Sequence, residues 1–127
     1  MPVPPPNFCY GRIVHVRSAV PDPQGRNPKA GRPFVVLTPP KEIEAADSLL
    51  IIAISHEVGD DVDYAVELPW GRGCSTGFTE PGSFAICNWH RDHPKSDLDV
   101  KASFIKPKEL YQIETKYRHW LESSGYC

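Results

Sequence analysis

Arg32 is the residue in this sequence best placed to hold an anion still. It falls near the end of a nine-residue stretch, 25–33, that carries Arg26, Asn27 and Lys29 between Gly25 and Gly31. It then opens onto Phe34, Val35, Val36 and Leu37, a run with the composition of a buried strand. Loops bearing glycine and cations stay at the surface because their backbone polar groups need water. A guanidinium at the boundary between such a loop and a rigid strand has its planar donors fixed, which suits stabilising a phosphate. The plain alternative for this segment is a solvated basic loop.

Ser55 and His56 are the second chemical pair. They end the most apolar run of the chain, residues 49–54. A chain leaving a buried strand must surface, so a hydroxyl and an imidazole emerge together at a rigid edge. An imidazole is the side chain best able to exchange a proton near neutral pH. No Gly-x-Ser-x-Gly elbow surrounds Ser55, which argues against a serine hydrolase. A third cluster, residues 87–93, holds Cys87, Asn88, His90, Asp92 and His93. These include metal-ligating types, but neighbours on one turn rarely make a tetrahedral site without a ligand from elsewhere. A metal hydrolase using His56, His90 and His93 is therefore the weakest reading, and no metal or cofactor is expected. Trp70 and Trp89 flank polar loops, where they are either base-stacking platforms or core. Gly71, Arg72 and Gly73 lack the Lys-Ser/Thr of a nucleotide-binding P-loop.

Composition narrows the field. The 127 residues, 40% hydrophobic, fit one domain with one core. A net charge of −2 from 14 Lys and Arg against 16 Asp and Glu is not that of a general polyanion binder. Any nucleic-acid contact must come from a local patch, and Arg12, Arg17, Arg26, Lys29 and Arg32 supply one. No apolar run approaches the roughly 20 residues needed to span a bilayer. Residues 1–9 read as an extended Pro-rich leader without the features of a secretory signal, ahead of a single domain over residues 10–124. The four cysteines, Cys9, Cys74, Cys87 and Cys127, form no Cys-x-x-Cys pair and suit a reducing cytoplasm.

The elements that must position these groups are mostly strands. Residues 10–17 alternate as a half-buried strand, with Arg12, Val14 and Val16 on one face and Ile13, His15 and Arg17 on the other. Residues 33–38 and 48–55 read as strands buried on both faces. A polar stretch, 41–47, is long enough for one helical turn. Further strands are expected over 63–68, 83–89 and 100–105. In the 83–89 segment, Phe84, Ile86 and Asn88 share one face and Ala85, Cys87 and Trp89 the other. Pro107 opens a helix on which Leu110, Ile113, Tyr117, Trp120 and Leu121 recur at helical spacing, ending at Gly125. The expected fold class is mainly β (α+β): a small barrel of five to six short strands with a C-terminal amphipathic helix.

Taken in order, these segments resemble the MazF/PemK (Kid) family of toxin endoribonucleases, over residues 11–121. The opening Gly11, Arg12, Ile13 and Val14 resemble the family's first strand. Residues 25–33 have the length of its Gly-x-Glu-Gln-x-Gly-x-Arg-Pro loop, with Arg32 and Pro33 on its Arg-Pro. Ser55 falls where the family ends a strand in Thr or Ser. Phe84, Ala85, Ile86, Cys87 and Asn88 fall on its apolar-x-Cys-Asp-Gln segment. Asn27 stands where the family often has Glu, and Asn88 where Asp is common.

The resemblance implies an SH3-like barrel, an isologous homodimer, and a cytoplasmic toxin neutralised by a cognate antitoxin protein. It implies metal-independent cleavage of single-stranded RNA to a 2′,3′-cyclic phosphate and a 5′-OH. Arg32 would stabilise the phosphorane and could supply a proton equivalent, and Ser55 would hydrogen-bond the phosphate. Arg26, Asn27, Lys29 and Asn88 would bind the RNA around it. His56 is the local candidate for base or acid, on its side chain alone, because the family fixes no His there. The alternative is a non-catalytic SH3-like module of the same lineage that binds RNA or protein.

Overall fold

The computed structural model describes residues 7–19, 30–58 and 62–123. Most of the leader, and Arg26, Asn27 and Lys29 of the basic loop, lie outside the described residues, as do Gly125 and Cys127.

The strands are β1 (Arg12–Val16), β2 (Pro33–Val36), β3 (Ser48–Ser55), β4 (Ala65–Glu67), β5 (Phe84–Pro94) and β6 (Leu98–Phe104). A single helical turn, α1 (Pro40–Ile43), links β2 to β3, and the helix α2 (Pro107–Ser123) follows β6. Short 3₁₀ turns occupy Val62–Tyr64 and Lys95–Asp97. All strand pairs are antiparallel, in the order β4-β5-β3-β2-β1-β6.

That order cannot be laid flat. β5 and β6 lie four strand spacings apart in the sheet, about 19 Å if it were planar. Yet only Lys95, Ser96 and Asp97 join them, and three residues wound as a 3₁₀ turn advance only about 6 Å. The sheet must therefore curl until its β5 side meets its β6 edge. The turn records that meeting: Lys95 N–H donates to Asp47 O at the start of β3, and Arg17 N–H at the end of β1 donates to Asp97 O, both at 2.9 Å.

Curling gives the sheet two buried faces. One face carries Ile13, Val35, Leu37, Ile52, Ile54, Ala85 and Cys87 and packs on Leu110 and Ile113 of α2. The other carries Val14, Val16, Phe34, Val36, Leu49, Ile51, Ala53, Ile86, Trp89 and Leu98, with only Ile43 of α1 added. A face that large with so little helix over it is covered by the sheet itself. Residues 12–16 are accordingly not half-buried as their alternation suggests, because Ile13 and Val14 are buried in opposite cores.

The larger departure is in β5. It continues as strand through His93 and Pro94, so residues 87–93 are not a ligand-bearing turn. Ile52 pairs with His90 while its neighbour Ala53 pairs with Ile86. Three extra residues, 87–89, thus bulge out of β5, and an odd insertion reverses the alternation. Trp89 joins Ile86 in the second core instead of Cys87 in the first. The metal-ligating types are dispersed. Burial pushes the Cys87 thiol up to about 12, His90 packs edge-on against Tyr117 and Trp120, each 4.9 Å away, and His93 Nε2 lies 2.7 Å from Asp97. Among the described residues no group of three His, Cys, Asp or Glu could hold a metal ion.

Gly11, which heads the first strand, has φ +84°. A Cβ there would lie 2.6 Å from Leu110 Cδ1 and 3.2 Å from Ile105 O, and Gly11 exchanges backbone bonds with Val36 and Ile105. Gly11→Ala should cost about 2–4 kcal/mol of stability, from left-handed strain plus overpacking, measured by urea unfolding. His90 provides a pH test. Burial, opposed by Asp92, holds its pKa below the ordinary imidazole value. The unfolded chain therefore takes up the proton first as pH falls below about 6.5, and folding weakens there. The melting temperature should fall between pH 7 and pH 5, and His90→Phe should shallow that slope.

Candidate functional site

The ladders bring the sequence's chemical groups into one row. β2 pairs with β3 as Phe34↔Ala53, Val35↔Ile52 and Val36↔Ile51. Extending that register outward by two residues sets Arg32 across from Ser55. On the other side of β2, Gly31 N–H donates to Val16 O at 2.6 Å and Val16 N–H to Arg32 O at 3.1 Å. Beyond β3, Ser55 pairs with Phe84 of β5. The row Val16, Arg32, Ser55, Phe84 thus runs across four strands, with His56 one step past its end.

Arg32, Pro33, Ile54, Ser55, His56, Phe78 and Ser83 line a cleft of about 170 Å³. Arg32 Nη1 donates to Ile54 O at 3.4 Å, and its guanidinium carbon lies 4.8 Å from the Trp89 ring centroid. Ser55 is buried, and its Oγ accepts the Glu57 N–H at 3.1 Å. His56 is exposed, and its Nδ1 lies 2.9 Å from Gly82 O. A carbonyl only accepts, so Nδ1 carries the proton and Nε2 is the atom left for proton exchange. Among the described residues the lining holds one guanidinium and no carboxylate, an environment that favours an anion.

Gly82, Ser83 and Phe78 belong to the connection between β4 and β5, and this loop is well tied. Leu68 N–H donates to Ser83 O, Gly71 N–H to Phe78 O, and Phe104 N–H of β6 to Ser75 O. Thr76 Oγ1 donates to Pro69 O at 2.8 Å. A larger cavity of about 600 Å³ lies elsewhere, between residues 7–10 and α1. Its one cation, Lys95, already donates to Ile43 O and Glu44 O, so the smaller cleft is the better site for chemistry.

Of the residues singled out by the sequence, Arg32, Ser55 and His56 come together here. Asn88 does not line the cleft; it is half-buried in the β5 bulge beside Trp89. Arg12 and Arg17 are also drawn away from a common patch. Arg12 donates to Ala102 O, and Arg17 pairs with Asp99 at 2.8 Å. That second pairing, with Ser18 and then His93 bonded to Asp97, holds both aspartates below their ordinary pKa and pins residues 17 and 18 to β6 and the turn before it. Trp89 is only 2% exposed, so it is core and not a base-stacking platform, whereas Trp70 is 52% exposed. Reading by residue type missed the Gly82 carbonyl and Phe78, because neither carries a reactive group.

No protein-family model and no curated protein sequence matches the chain. Solved structures do. An endoribonuclease from a mycobacterial species, solved in complex with its cognate antitoxin, superposes with a TM-score of 0.66 at 10% identity, over 91% of this chain and 96% of that one. MazF from Deinococcus radiodurans gives 0.66 at 17% identity, over 91% and 96%. The MazE–MazF complex of the same organism gives 0.64 at 15% identity, over 94% and 98%. The chain has the MazF fold. At such identities the likeness is one of fold, and it bears out the architecture expected from the residue-level resemblance. The MazF-fold cleft here is the row just described, with a histidine at its rim.

Gly82 sets that histidine and has φ +98°, with a would-be Cβ 3.9 Å from His56 Nδ1. Gly82→Ala should cost about 1–2 kcal/mol through the left-handed backbone. It should also loosen the His56 hydrogen bond, seen as a change in the His56 ring tautomer by nitrogen NMR.

Proposed function

We propose that this protein is the toxin of a type II toxin–antitoxin pair, a cytoplasmic, metal-independent endoribonuclease acting on single-stranded RNA. The observation that carries the reading is the convergence of Arg32, Ser55 and His56 in one cleft, with no carboxylate among its described lining residues, of a MazF-fold chain. The neighbours of this fold include an endoribonuclease and a MazF held by their antitoxins. A cognate antitoxin and a homodimeric state are part of the same reading.

Cleavage would proceed by attack of the ribose 2′-oxygen on the adjacent phosphorus, forming the 2′-O–P bond and breaking P–O5′. His56 Nε2, left open by the Nδ1 bond to Gly82, takes the 2′-hydroxyl proton. Arg32 faces the non-bridging oxygens, where its donors offset the charge that builds on the phosphorane. Ser55, whose Oγ already accepts from Glu57 N–H, turns its own proton toward a phosphate oxygen. The 5′-oxygen leaves as a hydroxyl, its proton supplied by water or by Arg32. Arg26, Asn27 and Lys29 would hold the neighbouring phosphates, and binding would weaken with salt by a slope of roughly −0.7 per phosphate contacted.

The test is incubation of the purified protein with mixed-sequence single-stranded RNA in EDTA. Cleavage should leave 2′,3′-cyclic phosphate ends, and Arg32→Ala should slow it about 10²–10³-fold, the cost of losing one charge-stabilising donor. Intact RNA that still shifts on a gel would point instead to a binding module. Cleavage restored only by added metal would overturn the assigned roles.

A further inference from the structure

We propose that Trp89 is a positioning residue for Arg32, its buried indole face fixing the guanidinium at the floor of the cleft; this rests on reading the cleft as the RNA-cleavage site. Arg32, Phe34 and Val36 alternate onto the same face of β2, and Phe34 and Val36 are buried in the second core. Arg32 is therefore the outermost member of that row, where the core opens to the cleft. Trp89 closes the core beneath it. The guanidinium carbon lies 4.8 Å from the ring centroid, well within cation–π range. Phe34 meets the same ring edge-on at 6.0 Å and 78°, so the indole is itself braced.

The bulge in β5 creates this contact. With regular alternation Trp89 would share a face with Ala85 and Cys87, in the core on the opposite side of the sheet. The three inserted residues, 87–89, turn it to the Arg32 side. Bulges that re-aim one side chain beside a functional site are a recurrent device. An arginine held only by its flexible stem must lose rotamer freedom when it engages a phosphate. One laid on a rigid ring has given up much of that freedom already, so more of its interaction is available as the phosphorane forms.

The test compares Trp89→Leu, which removes the ring, with Trp89→Phe, which keeps an aromatic face. The first readout is the Arg32 Nε–H proton resonance, assigned through Arg32→Lys. It should be displaced by the indole ring current in the wild type, revert in Trp89→Leu and remain partly displaced in Trp89→Phe. The second is single-turnover cleavage of the RNA used above. Trp89→Leu should lose about tenfold to thirtyfold in kcat, the rate equivalent of a desolvated cation–π contact, with KM little changed. Trp89→Phe should recover most of it. A resonance that does not move in Trp89→Leu, or folded Trp89→Leu protein with wild-type kcat, overturns the proposal. If Trp89→Leu does not fold, Trp89→Phe decides by the same two measures. A wild-type protein that cuts no RNA but shows the displaced resonance fails the nuclease reading alone; the resonance then decides the Arg32–Trp89 contact.

Discussion

The β2–β3 ladder is the constraint on which the rest depends. Both faces of these strands are buried, Phe34, Val36, Ile51 and Ala53 on one side and Val35 and Ile52 on the other. A one-residue slip would exchange the two sets and drive Arg32 toward the core packed on α2. Moving a guanidinium from a half-exposed rim to an apolar interior without partners is prohibitively costly, so the register that satisfies the cores also sets Arg32 across from Ser55. The site is then a by-product of packing, and needs no dedicated scaffold of its own.

The turn at Lys95–Asp97 completes that logic where the curled sheet closes. It is bonded through backbone groups to Asp47 ahead of β3 and to Arg17 after β1, and supplies Asp97 to Ser18. Gly31 and Arg32 are tied to Val16. Residues 17–18 and 31–32 are therefore both held to the barrel wall.

Much of this was legible in the residues. β3 and α2 are read correctly because their signals are long: eight residues of apolar strand, and a helix opened by Pro107 with Leu110 and Ile113 at its buried face. Arg32, Ser55 and His56 were legible because each stands at a strand boundary, where rigidity and exposure meet. Trp89 and Asn88 were not. The alternation rule assumes one residue opposite one, and nothing in the composition of residues 84–94 announces a three-residue bulge; it is decided by pairing with β3 and by the fit of an indole against Phe34. The Gly82 carbonyl was illegible for a different reason, since a backbone acceptor has no residue type to reveal it.

The burial of the three groups varies in the order that the proposed chemistry would require. Ser55, which in that proposal would only orient one proton, is 6% exposed and bound to its own chain at Glu57. Arg32 is half-buried, its guanidinium over an indole on one side and open to the cleft on the other. That position raises its electrostatic leverage by lowering the local dielectric, without the penalty of full desolvation. His56 is exposed, as the proposed role requires, since a group taking a proton in each turnover would have to return it to solvent. Its tether among the described residues is to a backbone carbonyl, which fixes the tautomer without adding charge. A carboxylate in that place would orient the ring equally well, but it would put a negative charge beside the phosphate and offset part of what Arg32 contributes. The neutral Gly82 carbonyl is the choice consistent with an anionic substrate, and its residue holds a φ of +98° that residues other than glycine rarely adopt.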